Sequence, residues 1–186
     1  TVNLTGSTGD DTLTGGLGTA TLGVAGGISL QNLSFEVVTA NGVSGLDIAR
    51  YTGSAGNDTF TAATTTSSMV GPGFSISATN FDRHFATGGG GAGDIADLTD
   101  FAGNDTFTGV GAMGTLSGTG FLQQFTSGFE IVRIRGINGG TNTRSITNPL
   151  GHVTQIAAYD AHGRPVTTVD PNGVITTLTY DLRGRL

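Results

Sequence analysis

Gly9-Asp10-Asp11-Thr12-Leu13 returns as Gly56-Asn57-Asp58-Thr59-Phe60 and again as Gly103-Asn104-Asp105-Thr106-Phe107, each time 47 residues further on. Other positions keep the register. Leu22, Met69 and Leu116 correspond, as do Phe35-Glu36-Val37-Val38 with Phe129-Glu130-Ile131-Val132 and Asp47-Ile48-Ala49 with Asp94-Ile95-Ala96. The middle copy slips by one residue at Phe81-Asp82 and recovers through the run Gly88 to Gly91, as a loop adjustment on a stacked scaffold would. A period of this length fits two coils of a parallel β-solenoid or a four-strand unit. Neither buries its apolar side alone, so copies must stack. Leu13, Phe60 and Phe107 then occupy equivalent inward positions and are expected to form a core ladder along the axis.

Composition points the same way. The 186 residues include 33 Gly and 4 Pro, with charged residues at only 12%. Abundant Thr, Val, Ile and Phe favour a pleated, half-buried surface, and Gly supplies turns that need positive φ. The expected class is all-β, almost without helix: elongated, parallel β-solenoid-like 47-residue repeats over residues 1–145, then antiparallel hairpins over 146–186. The chain begins at Thr1 without an initiator Met and reads as a segment of a longer polypeptide. No stretch has the form of a signal peptide or is apolar enough to span a bilayer, so no membrane insertion is expected within it.

Cysteine is absent, which removes disulfides and thiolate chemistry; all eight basic residues are Arg, which removes Schiff-base and P-loop lysines. Residues 1–130 hold eleven acids against Arg50 and Arg83, whereas 131–186 hold three acids against six Arg. Such asymmetry indicates two regions of different character, and the acidic one would repel nucleic-acid phosphates.

Gly6-Ser7-Thr8-Gly9-Asp10-Asp11-Thr12-Leu13 is followed at a nine-residue step by Gly15-Gly16-Leu17-Gly18-Thr19-Ala20-Thr21-Leu22. The pair resembles tandem RTX nonapeptides, a family in which Gly-rich turns and a carboxylate from each turn bind calcium between stacked coils. That resemblance implies calcium at Asp11, Asp58 and Asp105, with Asp10 as an extra ligand, because a hard cation takes several oxygens. The second nonapeptide departs from the pattern, with Ala20 where the ligating Asp should stand. The competing and commoner role for these acids is to close a turn on nearby backbone N–H groups.

Near Asn148 the texture changes. Tyr159-Asp160-Ala161-His162-Gly163-Arg164 recurs 21 residues later as Tyr180-Asp181-Leu182-Arg183-Gly184-Arg185, with Asp170-Pro171-Asn172-Gly173 between them echoing the earlier Asn148-Pro149-Leu150-Gly151. Pro presets φ and Gly accepts the left-handed conformation, so each cluster is a turn between antiparallel strands. The pattern, over about residues 148–186, resembles the YD repeats of RHS proteins. In that family many such hairpins spiral into a shell that encloses or displays a variable effector, often a toxin in bacteria. The resemblance implies a secreted or cell-surface location, with the rest of the parent polypeptide and its further YD repeats as partners. Tyr159 and Tyr180 are expected to pack on the sheet, Asp160 and Asp181 to close turns, and Arg164 and Arg185 to meet carboxylates.

Three functions are compatible with this reading. A non-enzymatic structural or presentation role accommodates every repeat. A polysaccharide-acting enzyme would need a base or cation beside its acids, and the acidic region offers only Arg50 and Arg83. A glycan- or protein-binding adhesive module would present exposed aromatics, whereas Trp is absent and the ten Phe are mostly in repeat register. His84, His152 and His162 are scattered and are expected in turns or on the surface.

Overall fold

The computed structural model describes residues 1–186 except 35, 126, 127, 149, 161 and 163. It is all-β, without helix among the described residues, and winds as a parallel β-solenoid of about four turns. After β1 (Val2–Thr5), the first copy contributes β2 (Thr12–Gly16), β3 (Thr19–Val24), β4 (Ile28–Leu33), β5 (Val37–Asn41) and β6 (Ile48–Thr52). The second contributes β7 (Thr59–Ala62), β8 (Thr66–Gly71), β9 (Phe74–Thr79), β10 (Arg83–Thr87) and β11 (Ile95–Thr99). The third contributes β12 (Thr106–Val110), β13 (Met113–Gly118), β14 (Phe121–Phe125), β15 (Ile131–Arg135) and β16 (Thr143–Thr147). The hairpins β17 (Val153–Tyr159), β18 (Pro165–Val169) and β19 (Ile175–Thr177) follow.

Each 47-residue copy is therefore five strands, neither two coils nor a four-strand unit. The first three strands of a copy form an antiparallel meander within one sheet: β2-β3-β4, β7-β8-β9 and β12-β13-β14. Tight turns at Gly16-Leu17-Gly18 and Gly71-Pro72-Gly73 make the reversals, with φ of +78° at Gly18 and +81° at Gly73. The remaining two strands cross between sheets, so a copy makes three passes. An odd number of passes moves the next copy to the opposite sheet.

Consequently the meanders alternate. The order β1-β5-β9-β8-β7-β11-β15 forms a seven-stranded sheet holding the second meander, and β19-β18-β17-β16-β12-β13-β14-β10-β6-β2-β3-β4 forms a twelve-stranded sheet holding the first and third. This corrects the expected ladder. Leu13, Phe60 and Phe107 are all buried, but Phe60 lies in the seven-stranded sheet and the other two in the twelve-stranded one. Each pairs instead with the middle strand of its own meander, Leu13 with Leu22, Phe60 with Met69 and Phe107 with Leu116. These six form the centre of each meander's inner face.

Alternation of the pleat sends every second residue inward, and the core fills the space between the sheets. Tyr51 of β6 meets Phe60 of β7 across the gap, ring centroids 5.7 Å apart, and its hydroxyl lies 2.8 Å from Ser67 Oγ. Burying a Phe60-sized side chain contributes about 2–3 kcal/mol. His84 is a second correction. It is fully buried, in lateral register with Ala49 and Gln123, because Asp82 immediately precedes β10 as Asp47 precedes β6 and the pleat then turns the second strand residue inward.

Strand β16 pairs in parallel with β12 and antiparallel with β17. The hairpin region thus prolongs the twelve-stranded sheet, and the 145/146 boundary drawn from the sequence falls inside one strand.

Candidate functional site

The chemistry-bearing side chains collect in two places: the acidic turns along the solenoid and the turns of the C-terminal hairpins. In the solenoid, a strand's parallel neighbour arrives after about 36 residues, not 47, since two passes plus the extra strands of one meander complete a coil. Asp11 therefore stacks on Asp47 and Asp82. The backbone N–H of Asp11 donates to Asp47 Oδ1 at 2.7 Å, and that of Asp47 donates to Asp82 Oδ2 at 2.9 Å. A second column repeats the pattern: Asp58 N–H donates to Asp94 Oδ1 at 2.7 Å, and Asp94 N–H to Glu130 at 2.8 Å. In a third, Asp105 N–H donates to Asn142 Oδ1 at 3.1 Å.

Asp11, Asp58 and Asp105 are thus not brought together; each begins a different column. Their carboxylates also close their own turns. Asp11 accepts from Ser7 N–H at 2.6 Å and Ala25 N–H at 2.8 Å, Asp58 from Ser54 N–H at 2.5 Å, and Asp105 from Phe101 N–H at 3.1 Å. Asp10 is exposed and accepts from Leu46 N–H at 2.8 Å. The RTX-like nonapeptide pair does not form parallel turns at a nine-residue step: Thr12–Gly16 and Thr19–Val24 are an antiparallel hairpin. Among the described residues no group of three or more His, Asp or Glu is placed to hold a metal ion.

The turns share a pattern that the 47-residue repeat conceals. Gly6 precedes Asp11 as Gly42 precedes Asp47 and Gly53 precedes Asp58, five residues apart, with Gly9, Gly45 and Gly56 two residues before each acid. A Cβ at Gly6, Gly42 or Gly53 would sit 2.1, 2.2 or 2.7 Å from the carboxylate oxygen of that Asp. Glycine is the space into which the acid folds back. In the slipped copy, a Cβ at Gly89 would lie 1.4 Å from the Ser54 carbonyl oxygen, so the run Gly88 to Gly91 lets two neighbouring turns touch. The signal was present in the sequence at the Gly-x-x-Gly-x-Asp spacing.

Burial perturbs two groups strongly. Asp47 is pushed up to about 6, chiefly by burial, with the Asp11, Asp82 and Asp10 carboxylates adding and the Asp11 N–H opposing. His84 is pushed down to about 4 by burial, and its Nε2 lies 3.5 Å from the Thr64 carbonyl oxygen. Among the described residues, Asp47 Oδ2, Asp94 Oδ2, Asp105 Oδ1 and His84 Nδ1 have no hydrogen-bond partner. Burial raises Asp105 as well.

The hairpin turns are built differently. Asp160 Oδ1 accepts from His162 N–H at 2.9 Å and Arg164 N–H at 3.0 Å, while its Oδ2 accepts from Arg164 Nε at 2.7 Å. Asp181 repeats this with Arg183, Arg185 and Arg185 Nε. Asn148 and Asp170 close their turns in the same backbone geometry, on Leu150 and His152 and on Asn172 and Val174. The two turn classes read from the sequence are one five-residue turn with an Asx cap, and Gly151, Gly173 and Gly184 take positive φ at its fourth position. Gly163 and Pro149, expected in these turns, and Phe35 of the repeat lie outside the described residues.

What sequence reasoning missed is the step between turns. The Arg164 guanidinium lies 4.4 Å from the Tyr180 ring centre, and Arg144 stands 4.6 Å from that of Tyr159. Asp160 orients Arg164, and Arg164 carries the Tyr of the following Tyr-Asp turn. The Arg164 backbone N–H, then its side chain, hold Asp160 down at about 2. Arg144 on β16 plays the same part with no preceding Asp, donating instead to the Ile134 carbonyl at 3.0 Å. No curated protein and no solved structure matches the chain. The family model described as RHS Repeat matches residues 159–186, so the stair of Tyr, Asp and Arg that ends the chain is similar to that family.

Proposed function

We propose that the chain is a non-enzymatic structural segment of a larger secreted or cell-surface RHS-repeat protein, in which a β-solenoid is joined rigidly to a series of YD hairpins. The observation that carries this reading is β16. Its one edge completes the solenoid through β12 and its other edge begins the hairpins through β17. A shared strand transmits orientation, whereas a flexible linker would not. The acids that a glycan-processing site would need are distributed along turn columns, mostly buried, and each engaged by at least one backbone N–H, which supports the structural role. Among the described residues no helix is long and apolar enough to cross a membrane.

The test places Pro at Ser145, at the centre of β16, where it removes a ladder donor. Small-angle scattering and distance measurements between labels at Thr61 and Thr167 are then compared with wild type. A narrow label distance in wild type that broadens in S145P, with circular dichroism retained, supports a rigid joint. An equally broad distribution in both would overturn it. Turnover of any polysaccharide by the wild-type chain would replace the structural reading with the enzymatic one.

A further inference from the structure

The seven-stranded sheet stops at β15, but the facing sheet continues through β16, β17, β18 and β19. Among the described residues, no strand covers the continuing sheet beyond β15. A cavity of about 340 Å³ opens there, lined by Val132 and Ile134 of β15 and by Ile146 and Ile156 of the continuing sheet. Val132 and Ile146 are 39% and 51% exposed, unlike the inward residues of the preceding strand, Ala96 and Leu98, which are fully buried. As the last strand of its sheet, β15 also leaves one row of backbone N–H and C=O groups without a strand partner.

We propose that this edge is a docking site for an extended strand of another polypeptide segment, which adds in parallel to β15 and covers the open groove. The strand has small or aliphatic residues at alternate inward positions and a carboxylate at the outward position between them. Its chemistry is read from the neighbour β15 already has. On the opposite edge, β11 presents Ala96 and Leu98 inward and Asp97 outward, opposite Val132, Ile134 and Arg133. Asp97 engages Arg135 through two hydrogen bonds, while Arg133 reaches it only at 4.0 Å and stays half exposed. An arriving carboxylate in the same register would complete Arg133. Residues 131–186 carry an excess of Arg over acids, so the surroundings of the edge favour an acidic partner.

A second copy of this chain does not meet the requirement. The other free end of the seven-stranded sheet is β1, but β3 and β4 overhang beside it in the facing sheet just as β17–β19 overhang beside β15. Stacking β1 on β15 would force the two overhangs into one space. The occupant must bring strands to the seven-stranded side alone.

The probe is a synthetic peptide with the sequence of residues 93–99, Gly-Asp-Ile-Ala-Asp-Leu-Thr, added in millimolar excess to the whole chain. A control peptide carries Arg in place of its second Asp. Amide hydrogen exchange is read strand by strand. The expected result is slowed exchange at Ile131–Arg135, at least tenfold less with the control, and a reversed preference in the R133E chain, whose exposed position leaves the fold intact. Absence of slowing at β15, or equal slowing by both peptides with either chain, would overturn the proposal. So would concentration-dependent protection of β15 and β1 without peptide, which would assign the edge to self-association.

Discussion

The solenoid and the hairpin region use the same residue, an aspartate at a turn, in opposite ways. In the solenoid Asp47 and Asp94 accept from backbone groups 36 residues away and are fully buried. In the hairpins Asp160 and Asp181 accept from groups two and four residues away and remain in contact with solvent. The first arrangement makes each turn depend on the coil stacked against it. The second makes each turn complete in itself, and couples side chains of successive turns through an Arg face laid on a Tyr ring and the Tyr180 hydroxyl donating to the Pro165 carbonyl. Non-local closure gives cooperativity, and local closure gives modularity.

The comparison breaks most visibly at a core position. Phe60→Ala removes a fully buried ring at the centre of the second meander and is expected to cost about 3–5 kcal/mol in urea unfolding. Tyr180→Ala, which is half-buried and contacts Arg164, should lower stability much less. Equal losses would erase the distinction between the regions.

Next in size are the turn acids. Asp58→Ala leaves the Ser54 N–H without its acceptor and is expected to cost about 2–3 kcal/mol, read as a lower melting temperature for the whole solenoid. Asp181→Ala should loosen only its own turn, seen as faster amide exchange at Arg183 and Arg185. Because Asp11, Asp58 and Asp105 stand in different columns and each already accepts from a backbone N–H of its own turn, calcium added to the wild-type chain is expected to leave its melting temperature unchanged in calorimetry. A rise lost in the triple Asn variant would restore the calcium role.

Acid sharpens the contrast further. Asp47 titrates at about 6 in the fold, above its ordinary 3.8, so its contribution is full below pH 3.8 and disappears as pH rises through about 6. His84 titrates at about 4, below its ordinary 6.5, so its contribution is present above pH 6.5 and disappears as pH falls through about 4. The two oppose one another. H84Q is expected to become relatively more stable than wild type on going from pH 7 to 4.5, by up to the order of 3 kcal/mol. D47N should show the reverse trend, as measured by urea unfolding at each pH.

Much of this organisation was legible in the residues. Turn glycines, alternating strands and the 47-residue repeat indicated a stacked all-β chain, and Tyr-Asp-x-x-Gly-Arg indicated hairpins with an Asp-to-Arg contact. What was hidden is the difference between a sequence period and a stacking period. Nothing in Gly56-Asn57-Asp58 says that a copy crosses the core three times, so the partners of Asp11 could not be identified as Asp47 and Asp82. His84 was misplaced for the same reason: only the lateral register with Ala49 turns it inward. Cation-π steps between hairpins join residues 15 or 16 apart, Arg144 to Tyr159 and Arg164 to Tyr180, which no local motif announces.

The central claim is that β16 makes one sheet of the two regions, and amide hydrogen exchange across β12, β16 and β17 in the intact chain tests it most directly. The account expects the central amides of β16 to be as protected as those of β12 and to open with them in one transition as urea is raised. Fast exchange at β16 while β12 stays protected would contradict it, and would leave the hairpins tethered to the solenoid rather than continuous with it.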